Sequence, residues 1–190
     1  MDEQEYRAKL IERDKASQDK RVERWKQFMP VTYNVTLPNL AWCYLTEADD
    51  MFIRGHFMGV ILLCAGIMEL VLGAQLKSRT QMTQDEVKRF GLEQMVILGH
   101  RLGILDDIEA RGIDKLKKLR NALIHVNIDR LNQMARRRYE ECGLATYDLD
   151  AGLFLKTAWG IGIDQDAPTY LKLTRDLTVK FYGAQDTPDQ

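Results

Sequence analysis

Apolar residues recur every three or four positions along most of this 190-residue chain, the period of helices packed on a common core. Residues 3–27 are laced with charge and carry only a sparse apolar stripe: Tyr6, Leu10, Ile11, Val22 and Trp25. That pattern predicts a long outer helix or arm, stopped by Met29-Pro30 and able to pack on a partner protein or subunit. Residues 30–40, with Pro30 and Pro38, read as a connection. Thr46-Glu-Ala-Asp49 has the form of a capping box and predicts a helix from Thr46 to about Leu76.

The second half of that helix, Phe57 to Leu76, is almost continuously apolar and of membrane-spanning length. Glu69 lies well inside it, where a carboxylate costs roughly 2.5–3.5 kcal/mol near a bilayer centre. Basic residues flank both ends (Arg54 on one side, Lys77 and Arg79 on the other), so no charge asymmetry sets an orientation. The expectation is a central helix covered by neighbours, with no membrane. Gly59, Gly66 and Gly73 recur every seven residues and mark a stripe where another backbone can come close.

Beyond it, Thr83-Gln-Asp-Glu86 predicts a second capped start, followed by a helix over Leu92–Leu102 and a short one near Leu105–Ala110. Gly103 and Gly112 serve as punctuation, Asp114 caps a helix over Lys115–Asn127, and a further helix reaches Glu141. Residues 144–164, rich in glycine with β-branched and aromatic residues, read as a loop or short hairpin. Within them, Trp159-Gly-Ile-Gly reads as a turn. Thr169–Tyr182 is the last expected helix. The fold class is therefore all-α: an up-and-down bundle with an N-terminal charged helix and a C-terminal extension. Its parts are residues 1–45 (arm and linker), 46–142 (bundle) and 143–190 (loop or hairpin and helix packed on the bundle).

Composition narrows the chemistry. Cys43, Cys64 and Cys142 are widely spaced, with no CxxC pair, which argues against a disulfide scaffold and points to a reducing cytoplasm. The three histidines lack carboxylates at ligand spacing, so no metal site and no cofactor are expected. The net charge of −1 excludes a chain that coats nucleic acid over its whole surface. Residues 111–140 nevertheless hold nine basic side chains against three acidic ones. Such a segment serves either a polyanion or a solvated helix face.

In the middle of this basic segment stands Leu116–Asn127, LKKLRNALIHVN. Leu116, Leu119, Leu123 and Val126 form its core-facing stripe, while Asn121 and His125 share one ridge. Arg120 and His125, five residues apart, diverge by about 140° on a regular helix. Bringing both to one substrate atom needs a kink, or two copies meeting at a two-fold axis.

Arg120-Asn121-x-x-x-His125 resembles the Rx4–6H motif of HEPN domains, including the polar residue after the arginine. The helices that lead into it, Leu92–Leu105 and Gly112–Leu119, are similar to those of HEPN proteins, as is the apolar helix bearing Glu69. The likeness covers about residues 46–142. It implies a metal-independent endoribonuclease acting on RNA as a homodimer, in host-defence or toxin–antitoxin biology. In that reading His125 moves a proton and Arg120 holds a phosphate in its planar fork. Asn121 orients one of them, and Lys117, Lys118, Asn127 and Glu69 line the substrate path. Some HEPN toxins carry a modifiable tyrosine two residues after the histidine; here Asn127 stands there. The alternative is a non-catalytic dimerisation, protein-binding or RNA-binding module, in which Arg120 and Asn121 are structural and Glu69 pairs with a cation inside the bundle.

Overall fold

A computed structural model describes residues 3–27, 39–125 and 151–182. Among them the chain is all-helical, a bundle of seven helices with no strand. The helices are α1 (Glu3–Gln27), α2 (Asn39–Arg54), α3 (Phe57–Arg79) and α4 (Gln84–Lys88), then α5 (Leu92–Arg101), α6 (Asp107–Ile124) and α7 (Ala151–Tyr182).

Helix α3 is the axis of the bundle. It touches α2, α4, α5, α6 and α7, and it buries Val60, Ile61, Cys64, Ile67, Met68, Val71, Leu72 and Leu76 among other residues. By length and composition it is also the one described helix able to cross a membrane. Its neighbours contribute matching stripes. Ala41, Leu45, Ala48 and Phe52 come from α2, and Ile113, Leu116, Leu119 and Leu123 from α6. Leu116, Leu119 and Leu123 thus face the core as their spacing implies, while Val126 lies outside the described residues.

The long helix expected from Thr46 to Leu76 is two helices, and the first starts at Asn39. Gly55 takes φ +81°, a left-handed conformation that costs any residue with a Cβ. Its N–H donates to the Phe52 carbonyl (3.0 Å) and the His56 N–H donates to the Met51 carbonyl (2.8 Å). This is a Schellman ending, which closes α2 and lets α3 start in a new direction. Thr46 is consequently mid-helix and is not a cap; its hydroxyl donates to the Trp42 carbonyl one turn back. Arg24 from α1 reaches this same corner, donating to the Ile53 carbonyl (2.9 Å) and lying over the Phe57 ring. The outer helix is therefore anchored by its last turn, while Ile11 remains 70% exposed.

The Thr83 capping box forms as its sequence implies, although the helix it starts is only five residues long. Glu86 accepts from the Thr83 backbone N–H at 2.7 Å, which holds its carboxyl below the ordinary value. Two expected helices, Leu105–Ala110 and Lys115–Asn127, are instead the single helix α6, capped by Asp106 in a box with Glu109. Gly112 does not break it. The glycine is a notch for α7, because a Cβ there would meet a methyl group of Leu173 at 2.8 Å. Asp114 is no cap; it pairs with Lys117 (2.9 Å) and Lys118 (2.5 Å). Gly103 does punctuate: at φ +67° it ends α5 in a second Schellman motif, with Gly103 N–H to His100 and Ile104 N–H to Gly99.

The hairpin reading of residues 144–164 fails over its described part, where residues 151–164 belong to α7. Residues 144–150 lie outside the described residues, as does the helix expected to reach Glu141. The turn at Trp159-Gly-Ile-Gly is helical too. Ile163, Ala167, Tyr170, Leu171 and Leu177 of α7 are buried. Packing of such a stripe outweighs the roughly 1 kcal/mol of helix propensity that each glycine forfeits.

One polar contact runs through this apolar interior. Arg175 of α7 grips Asp49 of α2, with Nη2 at 2.6 Å and Nε at 3.2 Å from Oδ1. Both side chains are about nine-tenths buried. Burial pushes the Asp49 carboxyl above its ordinary value, against the opposing pull of Arg175. Thr178 lies beside it, satisfied by the Thr174 carbonyl at 2.7 Å.

Two substitutions test this architecture. Gly103→Ala places its Cβ in open space, so its cost is purely that of the left-handed backbone, about 1–2 kcal/mol in a urea titration. Arg175→Met strands the Asp49 charge and is expected to cost about 3–5 kcal/mol, most of it recovered when Asp49→Leu is added.

Candidate functional site

Glu69, Arg120 and Asn121 come together where α3 and α6 cross. The Asp106 box starts α6, the helix runs unbroken to Ile124, and its apolar residues seat it on α3. Arg120 then extends toward α3, with Nη2 3.6 Å from Glu69 Oε1. Its Nη1 donates to the Asn121 side-chain carbonyl at 3.5 Å. Both contacts are long, and the Arg120 and Glu69 side chains are each about one-third exposed. A guanidinium has five N–H donors, and these two contacts engage one each. The cluster is accordingly a partly wet arginine beside a carboxylate, able to turn its remaining donors to an anion.

His125 occupies the end of the same helix. Its backbone N–H donates to the Asn121 carbonyl at 3.0 Å, its dihedral angles leave the helix, and its side chain is exposed. Helix α6 runs continuously to Ile124, and over a regular helix Arg120 and His125 stand about 140° apart. One copy of the chain does not aim both at one atom.

The lysines of the motif are already engaged. Lys117 is bound to Asp114 (2.9 Å) and reaches across to Glu93 of α5 (3.3 Å), with 11% of its side chain exposed. Burial works to lower its pKa, but the hydrogen bonds it donates to both carboxylates outweigh that and raise the value. Lys118 shares Asp114, which its hydrogen bond helps to hold below the ordinary carboxylate value. Asn127, Arg130 and Arg136–Arg138 lie outside the described residues.

A groove opens beside the cluster, of about 820 Å³, between the start of α2, one face of α3, and α4. Glu69 is part of its wall, so the carboxylate that meets Arg120 also faces the groove. Gly66 and Gly73 shape its floor. The glycine stripe does not receive another backbone as its spacing suggests. Side chains cover it closely at two positions, Met51 over Gly59 and Val87 with Met95 over Gly73, while at Gly66 the Tyr44 ring lies at ordinary contact distance. Tyr44 and Phe90, which no sequence pattern singled out, line the groove as well.

Other reactive groups have structural partners. Burial in α3 pushes the Cys64 thiol up to about 12, beyond use as a nucleophile at neutral pH. His100 meets Asp107 at 2.7 Å across the α5–α6 turn. No protein family, curated protein or solved structure matches the chain.

The exposure of the Arg120–Glu69 contact carries its own expectation. Half-exposed ion pairs contribute about 0–1 kcal/mol, so Arg120→Ala is expected to lower unfolding free energy by less than about 1 kcal/mol. A much larger loss in denaturant titration would make Arg120 a structural clamp.

Proposed function

We propose that the chain is a HEPN-like, metal-independent endoribonuclease that acts as a homodimer in the cytoplasm, in host-defence or toxin–antitoxin biology. The observation that carries this reading is the arginine of the RNxxxH motif. It is seated beside Glu69 and Asn121 at a solvent-reached position, with donors to spare for a phosphate. Arg120 stabilises the charge that builds on the phosphate, and Asn121 helps to orient it. His125 takes the proton from the ribose 2′-hydroxyl or returns one to the leaving 5′-oxygen. The products are a 2′,3′-cyclic phosphate and a 5′-hydroxyl.

The helical geometry supports the homodimer reading. Since a continuous α6 of regular geometry points Arg120 and His125 apart, a two-fold pair of α6 helices would set an arginine near a histidine. Ile124, 49% exposed beside His125, suits the centre of such a contact.

A second reading has its own support: the Glu69–Arg120 contact ties α3 to α6, which is what a structural motif in a non-catalytic protein- or RNA-binding module would do. The long α1, held near its end by Arg24, would then be the partner-binding arm.

Incubation of the purified chain with mixed RNA in EDTA separates the two. The nuclease reading expects cleavage ending in cyclic phosphate, reduced at least about 100-fold in both Arg120→Ala and His125→Ala. Cleavage that survives His125→Ala would refute it.

A further inference from the structure

The groove beside Arg120 has a composition that an ordinary packing defect lacks. Its floor is made from small residues of one helix face, Gly66, Gly73 and Ala74, and its two aromatic side chains are Tyr44 and Phe90. Its acidic group is Glu69, and its mouth carries the exposed lysines Lys77 and Lys88. At about 820 Å³ it falls within the roughly 300–1,000 Å³ of sites that take small ligands.

We propose that this groove is a base-binding subsite for single-stranded RNA, holding a base that carries an exocyclic amino group next to the phosphate gripped by Arg120. The proposal rests on the nuclease reading and adds to it a choice of substrate. Single-stranded RNA is recognised chiefly by splaying bases onto aromatic side chains and reading their edges. The groove beside Gly66 admits a planar ring, and Tyr44 and Phe90 in its lining supply faces for it to stack on. Glu69 only accepts hydrogen bonds when ionised, so it favours cytosine, adenine or guanine, whose amino groups donate, over uracil, whose N3–H donor is flanked by two carbonyl oxygens that a carboxylate repels. Lys77 and Lys88 match the phosphates of the strand as it leaves the groove.

The shared carboxylate joins the two halves of the site. Glu69 stands 3.6 Å from Arg120 on one side and lines the groove on the other. A base bound at Glu69 therefore lies beside a phosphate bound at Arg120, as adjacent parts of one nucleotide strand do. A peptide helix would use the same trench but would show no preference among bases.

Fluorescence polarisation with the full chain and labelled 2′-O-methyl octamers, which resist cleavage, tests the assignment. Oligo-C and oligo-A are expected to bind about tenfold more tightly than oligo-U, the usual effect of one hydrogen bond to a charged group. Glu69→Gln, which can also donate, removes that preference. Gly66→Leu fills the trench, since a Cβ there meets only the Tyr44 ring at 3.8 Å, and weakens all octamers about tenfold without lowering the melting temperature. The exposed pair Lys77→Ala with Lys88→Ala weakens all three octamers and flattens the salt dependence. The subsite is overturned if no octamer binds, if the wild type binds all three equally, or if the preference survives Glu69→Gln. Unchanged affinity in a folded Gly66→Leu or in the lysine pair overturns it as well. Cleavage of an oligo-C ribonucleotide, compared between wild type and His125→Ala, is scored separately. Base preference without cleavage removes the nuclease and keeps the subsite; cleavage without preference does the reverse.

Discussion

An apolar helix with scarcely any polar face of its own imposes the architecture of this bundle, although Met58 and Leu62 keep one stripe of it in contact with solvent. Helix α3 has no polar face wide enough to rest at a surface, so α2, α4, α5, α6 and α7 all pack on it. Everything polar in the interior must then be accommodated between those neighbours and α3. The Asp49–Arg175 pair is one solution, a close and deeply buried ion pair. Glu69 is another: it stays near the rim, one-third exposed, and meets Arg120 loosely. The closed contact thus joins α2 to α7, while the open one is carried by α3 itself and lies beside the groove.

The difference between those contacts separates fold from chemistry. Arg175 approaches a single carboxylate oxygen at 2.6 Å with almost no solvent present, which fixes α7 against α2. Arg120 stands 3.6 Å from its partner with water at hand, which leaves it able to exchange that partner for another anion. Lys117 and Lys118, sequence neighbours of Arg120, are drawn into a local network around Asp114. Among these three cations of α6, Arg120 has the longest ion-pair contact.

Much of this was legible from the residues. The charged outer helix, the central apolar helix, the Thr83 box and the stripe of Leu116, Leu119 and Leu123 follow from periodicity and capping chemistry, which are local. What was not legible depended on partners remote in sequence. Of Gly55, Gly59, Gly66 and Gly73, only Gly55 takes a positive φ, and nothing in the surrounding residues distinguishes it. Gly112 looks like a helix stop until Leu173 is placed against it. Thr46-Glu-Ala-Asp49 satisfies the pattern of a cap, but its aspartate belongs to an arginine 126 residues away. At the candidate site, Arg120, Asn121 and Glu69 could be named from sequence, whereas the lining by Tyr44 and Phe90 needed the fold.

The covering of α3 also has a schedule. Helix α3 is complete at residue 79, but α7, which closes one side of it and carries Arg175, spans residues 151–182. At a synthesis rate of about 5–20 residues per second, roughly 5–20 s pass between the two. During that interval the ribosome displays a helix long and apolar enough to be taken for a membrane segment. A nascent chain of this design gains from α2 folding back early across the Gly55 corner, which covers one flank of α3 before α7 exists.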